Sequence, residues 1–361
     1  MNILIYISNT SLGGGTERAS ITFVNQLVQI AGYNIYVVTA YGNPIEKIFQ
    51  IHNKVTIKYL KIEGRPLTNI YRINKGIYNA INEFSIDTLI SNEVMSGFFT
   101  LPAVWLVKKK VKFIVWDHFS FNTTLGKKGR EIARIILAKY SDIIVTLTQK
   151  DKELWEKKLS PKAVVVTIPN PAPFFYNENP YNINSRSIIA IGHLNKVKGF
   201  DLLIKIWSKL KTNQHVIKGW KQYIIGSGNE KRELENLIEA EGLNEYISLV
   251  PATREIEQYY CEASFIVMTS RTEGLPMTLI ESQQFGLPAI SFYDSEVMYG
   301  PREIISDSGF IINQFDIDEF AEKMSLLMNN PKLRKDFSKI SFSNSVKFQP
   351  DVILKQWLNI L

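Results

Sequence analysis

The sequence predicts an α/β protein made of two doubly wound parallel-sheet domains, and three observations carry that prediction. Short apolar, β-rich runs alternate with helical stretches along both halves of the chain. A run of breakers, Ile168-Pro169-Asn170-Pro171-Ala172-Pro173, separates the two series. The length, 361 residues, exceeds what one ordinary core holds. The expected domains are 1–170 and 171–342, followed by a terminal segment, 343–361, whose stretch Asp351 to Leu358 is amphipathic.

Bulk composition narrows the function classes. Hydrophobic residues make up 45% of the chain, as in a soluble globular protein. Met1 to Ile7 lacks the basic region and long apolar run of a secretory leader, and no run reaches the length of a spanning helix. A single cysteine, Cys261, excludes an internal disulfide and a thiolate metal cluster, which fits a reducing cytoplasm. The net charge of +7 is uneven. Residues 1–170 hold 22 Lys and Arg against 12 Asp and Glu, while residues 171–361 hold 20 against 23. A basic first half calls for an anionic partner. No nucleic-acid-binding motif accompanies the charge, so a membrane surface or a diphosphate-lipid substrate fits better than nucleic acid.

In the first half, Asn2 to Ser8 reads as a buried parallel strand, and Leu12-Gly13-Gly14-Gly15-Thr16-Glu17-Arg18 turns it into a helix running to about Ile30. Gly14 and Gly15 leave free N–H groups at a helix start, an anion site in principle, although the full G-x-G-x-x-G spacing is missing. Strands are expected at Asn34–Thr39, Val55–Leu60, Thr88–Ser91, Lys112–Trp116 and Asp142–Leu147. A helix is expected over Thr68–Phe84, with Ile70, Ile73, Ile77, Ile81 and Phe84 on one stripe and Arg72 and Lys75 also on the helix. Apolar and aromatic residues from Pro102 to Val107 run into Lys108-Lys109-Lys110, and Gly126-Lys127-Lys128-Gly129-Arg130 follows; together these suit an anionic bilayer surface. His118 sits after a strand end, where ligands of open α/β sheets gather, and Asp117 either orients it or caps the turn.

The second series begins at Ser187–Gly192. The loop His193-Leu194-Asn195-Lys196-Val197-Lys198-Gly199 leads into a helix, Phe200 to Lys211, and places Lys198 beside a helix start where it can reach a diphosphate. Strands are expected at Trp220–Ile225, Ile247–Val250, Ser264–Thr269 and Ala289–Phe292, with a charged helix over Asn229–Ala240. Cys261 is expected in the core. After the strand ending at Thr269, Ser270-Arg271-Thr272-Glu273-Gly274-Leu275-Pro276 opens a helix at about Pro276 that carries Glu281. Two carboxylates eight positions apart, Glu273 in the loop and Glu281 on the helix, can hold neighbouring hydroxyls of one ligand, while N–H groups from Gly274 to Met277 face an anion. Asp316-Ile317-Asp318 has a metal-like D-x-D pattern but reads as helix capping before Glu319-Phe320-Ala321. Pro331 to Phe337 reads as the last helix of the second domain.

These motifs resemble family 4 retaining glycosyltransferases. E-G-L-P followed by Glu281 is similar to that family's E-x7-E element, and Gly14-Gly15-Thr16-Glu17-Arg18 to its first loop. Lys198-Gly199 matches the K-G of its G-R-L…K-G pattern, and Gly300-Pro301-Arg302-Glu303-Ile304-Ile305 its G-P-x-E-[LI]-I turn. The resemblance covers most of the chain and implies the GT-B fold: two Rossmann-like domains facing a central cleft, with the C-terminal helix crossing back to the first. It implies catalytic roles for Glu273, Lys198 and His118. It implies donor contacts from Gly14, Gly15, His193, Lys198, Gly226, Arg254, Glu273, Gly274, Leu275, Pro276 and Glu281, and acceptor contacts from Glu17, Arg72 and Lys75. His193 stands where the family has an arginine, so Lys196 or a protonated His193 is left to supply the second phosphate cation.

The implied reaction moves a hexosyl or N-acetylhexosaminyl group from a UDP-sugar, without cofactor or metal, to a polyprenyl-diphosphate-linked or other glycan acceptor. O-antigen, capsule or related glycan assembly is the implied setting, at the inner face of the plasma membrane. The alternatives are a non-hydrolysing UDP-sugar epimerase, a soluble-acceptor transferase and a non-catalytic nucleotide-sugar-binding subunit.

Overall fold

The computed structural model describes every residue except 44–47, 125–128 and 177, and of Gln214 the backbone alone. The stretch Gly126-Lys127-Lys128 of the expected basic patch lies outside the described residues. The chain divides into two compact units, Met1–Pro173 joined by Phe348–Leu361, and Phe174–Lys347.

The first unit runs β1 (Asn2–Tyr6), α1 (Gly15–Leu27), β2 (Asn34–Thr39), β3 (Thr56–Tyr59), α2 (Ile70–Glu83), β4 (Thr88–Asn92), α3 (Val94–Leu106), β5 (Lys112–Asp117), α4 (Gly129–Tyr140), β6 (Ile143–Thr146), α5 (Gln149–Leu159) and β7 (Val164–Thr167). Its seven strands are all parallel, in the order β3-β2-β1-β4-β5-β6-β7. The near-continuous apolar runs of β1 and β5 follow from burial on both faces.

The second unit runs β8 (Ser187–Ile191), α6 (Phe200–Lys211), α7 (Gln214–Ile217), β9 (Lys221–Ile225), α8 (Lys231–Ala240), β10 (Ile247–Val250), α9 (Ile256–Glu262), β11 (Ala263–Met268), α10 (Met277–Gln284), β12 (Ala289–Tyr293), α11 (Gly300–Ile305), β13 (Gly309–Asn313), α12 (Ile317–Asn329) and α13 (Pro331–Asn344). Its six strands are also all parallel, in the order β10-β9-β8-β11-β12-β13. The predicted α/β, doubly wound class is the fold observed in both units.

The differences from expectation are local. The helix expected over Thr68–Phe84 is a 3-10 turn, Pro66–Asn69, followed by α2. Pro66 starts the turn, and the Asn69 side chain donates to the carbonyls of Glu63 (2.8 Å) and Arg65 (3.0 Å). The helix expected to reach Ile30 ends at Leu27. The patch from Pro102 belongs to α3, which carries that proline inside it. Two edge strands, β7 and β13, were not anticipated, and α13 runs seven residues beyond Phe337.

After α13 and a 3-10 turn, α14 (Pro350–Leu358) returns to the first unit. Its Ile353 and Trp357 are fully buried. The Trp357 ring packs 4.6 Å from Phe23 of α1 and 4.8 Å from Trp116 of β5. Burying aromatic rings of this size stabilises the docked helix by about 2–3 kcal/mol per side chain. This helix is the C-terminal element expected to cross back.

Candidate active site

In the second unit the strand order reverses between β8 and β11, which are hydrogen-bonded neighbours. Ligands of open α/β sheets collect at the carboxyl ends of strands at such a switch point. The loops leaving β8 and β11 meet there. Gly199 links them: its φ is +65°, and a Cβ would lie 2.0 Å from the Thr269 carbonyl oxygen, so only glycine fits. The Arg271 N–H donates to the Val197 carbonyl at 2.7 Å, and the Thr269 hydroxyl to the Lys198 carbonyl at 3.3 Å.

This contact brings together two of the expected catalytic residues, 75 positions apart in sequence. Lys198 Nζ donates to Glu273 Oε1 at 2.6 Å, and the Ser270 hydroxyl donates to the same oxygen at 2.7 Å. The side chains are 24% and 12% exposed, so the pair is shielded yet reachable. Beside it α10 begins at Met277, with Pro276 as N-cap, and the leading N–H groups of a helix have no acceptor within it. Pro276 has no N–H, so it contributes nothing to the row of amides expected between Gly274 and Met277. Leu275 and Pro276 are buried and Gly274 is partly so.

Glu281, one turn into α10, is only 2% exposed and accepts the Tyr260 hydroxyl at 2.7 Å, with the Tyr260 ring stacked 5.0 Å from Phe285. Gly226 packs against the turn after β8: a Cβ there would meet the Gly192 carbonyl oxygen at 1.8 Å, and Leu194 N–H donates to the Ser227 carbonyl at 3.0 Å. His193 is exposed on that turn, and Arg254 is exposed on the loop after β10. Lys196, expected as one possible second cation, pairs with Glu230 (3.3 Å) and Glu233 (2.7 Å) at the start of α8 and is 59% exposed.

In the first unit, β1 and β4 form the corresponding reversal. Gly14 caps α1 and Gly15 opens it. The Glu17 carboxyl turns back onto this helix start: burial pushes its pKa up, partly opposed by hydrogen bonds from the Glu17 and Gly14 amides. Arg72 and Lys75 are exposed on α2, away from the buried Ile73 and Ile77.

His118 follows β5, is 6% exposed, and packs against Trp116 with the ring centroids 4.5 Å apart and tilted by 39°. Neither ring nitrogen has a hydrogen-bond partner among the described residues, and burial pushes its pKa down to about 3, leaving it neutral. Asp117 does not orient it. That carboxylate accepts the Phe119 N–H (3.3 Å) and the Trp155 indole N–H (3.3 Å) and lies 3.6 Å from Arg134, which makes it the turn's cap.

Two family models match the chain, "Glycosyltransferase Family 4" over residues 13–173 and "Glycosyl transferases group 1" over residues 176–343. An uncharacterized glycosyltransferase of Haemophilus influenzae is 32% identical over 360 residues, covering 99% of this chain and 98% of the relative. The chain belongs to glycosyltransferase family 4. The amylovoran biosynthesis glycosyltransferase AmsD of Erwinia amylovora is 33% identical to this transferase, with 99% of each chain covered. Staphylococcus aureus TarM, solved with UDP bound, superposes with a TM-score of 0.82 over 99% of both chains at 15% identity, which is the GT-B fold.

Several residues that shape the transferase's candidate site carried no signal of their own in sequence. The Arg271 guanidinium grips Asp201 of α6. Tyr260, outside every motif, holds Glu281. Arg134 donates to the carbonyls of Ser120 (3.1 Å) and Phe121, and Asp151 accepts the Phe121 N–H at 2.7 Å, so buried charges fix the loop that follows His118. The expected metal-like pair resolves into capping and pairing: Asp316 accepts the Glu319 N–H at 2.9 Å at the start of α12, and Asp318 pairs with Lys209. Cys261, expected in the core, is only half-buried.

Proposed function

We propose that this transferase moves a hexosyl or N-acetylhexosaminyl group from a UDP-sugar, with retention at the anomeric carbon, to a lipid-linked or surface-polysaccharide glycan. The observation that carries the reading is the shielded Lys198–Glu273 pair beside the start of α10. A cation next to a helix start suits a departing diphosphate, and a carboxylate alongside suits sugar hydroxyls. Glu281, fixed by Tyr260, is assigned the ribose. In the proposed step the bond from the anomeric carbon to the diphosphate oxygen breaks as the acceptor oxygen bonds on the same face. The acceptor's proton passes to the departing phosphate oxygen. Lys198 and the leading amides of α10 take the place of a divalent metal. The names of AmsD and TarM, polysaccharide synthesis in one case and bound UDP in the other, agree with the donor and setting.

The lipid-linked acceptor is argued from the first unit. On α3, Trp105 and Leu106 are 58% and 68% exposed, and on α4 so are Ile132 and Ile135, each at 58%. The Trp105 and Tyr140 rings meet 5.1 Å apart, joining the two helices' apolar surface. Exposed Lys108 and Lys110 follow directly. Apolar side chains flanked by lysine suit peripheral docking on an anionic bilayer at the cytoplasmic face. No described helix is long and apolar enough to cross a membrane.

The test is a screen of UDP- and GDP-sugars with the purified chain, with and without EDTA, following nucleoside diphosphate release, then repeated with polyprenyl-diphosphate acceptors. Release from one UDP-sugar, insensitive to EDTA and lowered about 100-fold or more by Glu273→Ala or Lys198→Ala, supports the reading. Silence on every donor and acceptor, or full turnover by those variants, refutes it.

A further inference from the structure

Lys198 and Glu273 sit on separate loops, and their meeting depends on how those loops are tied. The tie is Arg271, two residues before Glu273. Its Nη1 and Nη2 donate to Asp201 Oδ1 and Oδ2 at 2.8 and 2.7 Å, an end-on fork onto the first turn of α6. Nη1 also donates to the Lys196 carbonyl at 2.7 Å, and the Arg271 carbonyl accepts from the Gln314 side chain at 2.9 Å. With its main-chain bond to Val197, Arg271 grips three residues of the Lys198 segment while being bonded to the Glu273 loop. A guanidinium fork fixes orientation as well as distance, which a point charge does not.

We propose that Arg271 is a positioning residue for transfer, its fork on Asp201 setting the placement of Glu273 relative to Lys198. Arg271 touches no reacting atom. The inference rests on the transferase reading of this site and adds to it the device that assembles the site. A misplacement of about 1 Å in a reacting geometry costs on the order of 100-fold in rate. UDP alone carries no sugar for Glu273 to hold, so its binding reports only on Lys198 and the leading amides of α10 and changes less than turnover.

The experiment measures donor turnover, UDP affinity by calorimetry and melting temperature for the unmodified chain, Arg271→Ala, Arg271→Lys, Asp201→Asn, and Arg271→Ala combined with Asp201→Asn. Arg271→Ala is expected to lower kcat about 10- to 100-fold with UDP affinity changed less than about 3-fold. Arg271→Lys keeps the charge, so it recovers melting temperature without recovering kcat. The double variant is expected to lose no more kcat than Arg271→Ala alone, because both changes break one fork. The inference is overturned by Arg271→Ala within about 2-fold of wild-type kcat, by full rescue with lysine, or by UDP affinity and kcat falling together with stability. A wild-type chain silent on every donor instead overturns the transferase reading beneath it.

Discussion

His118 should make stability depend on pH in a window that its burial defines. Its ordinary pKa of about 6.5 falls to about 3 in the folded chain, because the ring is enclosed beside Trp116 and no described group hydrogen-bonds its nitrogens. Between those values the unfolded chain binds a proton that the folded chain refuses. Stability therefore rises with pH from 3 to 6.5 and is flat, for this group, above it. The full slope is about 1.4 kcal/mol per pH unit, so lowering the pH from 7 to 5 should cost about 2 kcal/mol through His118 alone. Removing the ring with His118→Gln removes this dependence whatever it does to absolute stability, and titrations elsewhere cancel in the comparison. Urea unfolding followed by tryptophan fluorescence at pH 5, 6 and 7, in both proteins, measures the difference. Parallel pH profiles for the two would refute the reasoning, since they would mean that His118 ionises as easily folded as unfolded.

Tyr260→Phe removes the hydroxyl donating to buried Glu281, which should destabilise the second unit by about 1–3 kcal/mol; thermal melts and UDP titration check both this and the ribose assignment, which predicts weaker UDP binding. Trp105→Glu together with Lys108→Glu and Lys110→Glu should abolish co-sedimentation with anionic vesicles while leaving donor turnover in solution near wild type. About 1 kcal/mol of attraction is lost for each lysine removed. Unchanged sedimentation would remove the membrane-docking proposal.

Both sheets were legible because strands buried on two faces must be apolar almost throughout, as β1 and β11 are. The two missed strands lie at sheet edges where that requirement relaxes: Val164 in β7 is 61% exposed, and only Ile312 in β13 is fully buried. Lys198 and Glu273 were legible through their local motifs. Their ion pair was not, because it arises from β8 and β11 becoming neighbours, a fact of topology rather than of either motif. The fixed loop after His118 was hidden for a similar reason, since Arg134 and Asp151 come from α4 and α5 and look like ordinary helix charges until they are seen buried. Asp117 closes β5 one residue beyond the expected strand end, and only the distances decide between orienting the histidine and capping the turn.

The histidine at position 193 raises the question of how the site balances a diphosphate's charge. On these two loops Lys196 is committed to Glu230 and Glu233, and Arg271 to Asp201. Lys198 remains, and it shares its charge with Glu273. His193 is exposed on the same turn as Lys198, so it is well placed, but an imidazole offers no fork to a phosphate. An arginine there would bring a permanent cation and a fork that matches phosphate oxygens. Because the position is exposed, screening limits the gain to about 1 kcal/mol, or ~5-fold tighter binding. His193→Arg should therefore bind UDP about 5-fold more tightly, and the advantage should shrink as salt is raised. Calorimetric titration with UDP at low and at high salt, in both proteins, measures the difference. Equal affinities in the two proteins at both salt concentrations would mean that the turn after β8 does not face the diphosphate, and the donor assignment of His193 would have to be withdrawn.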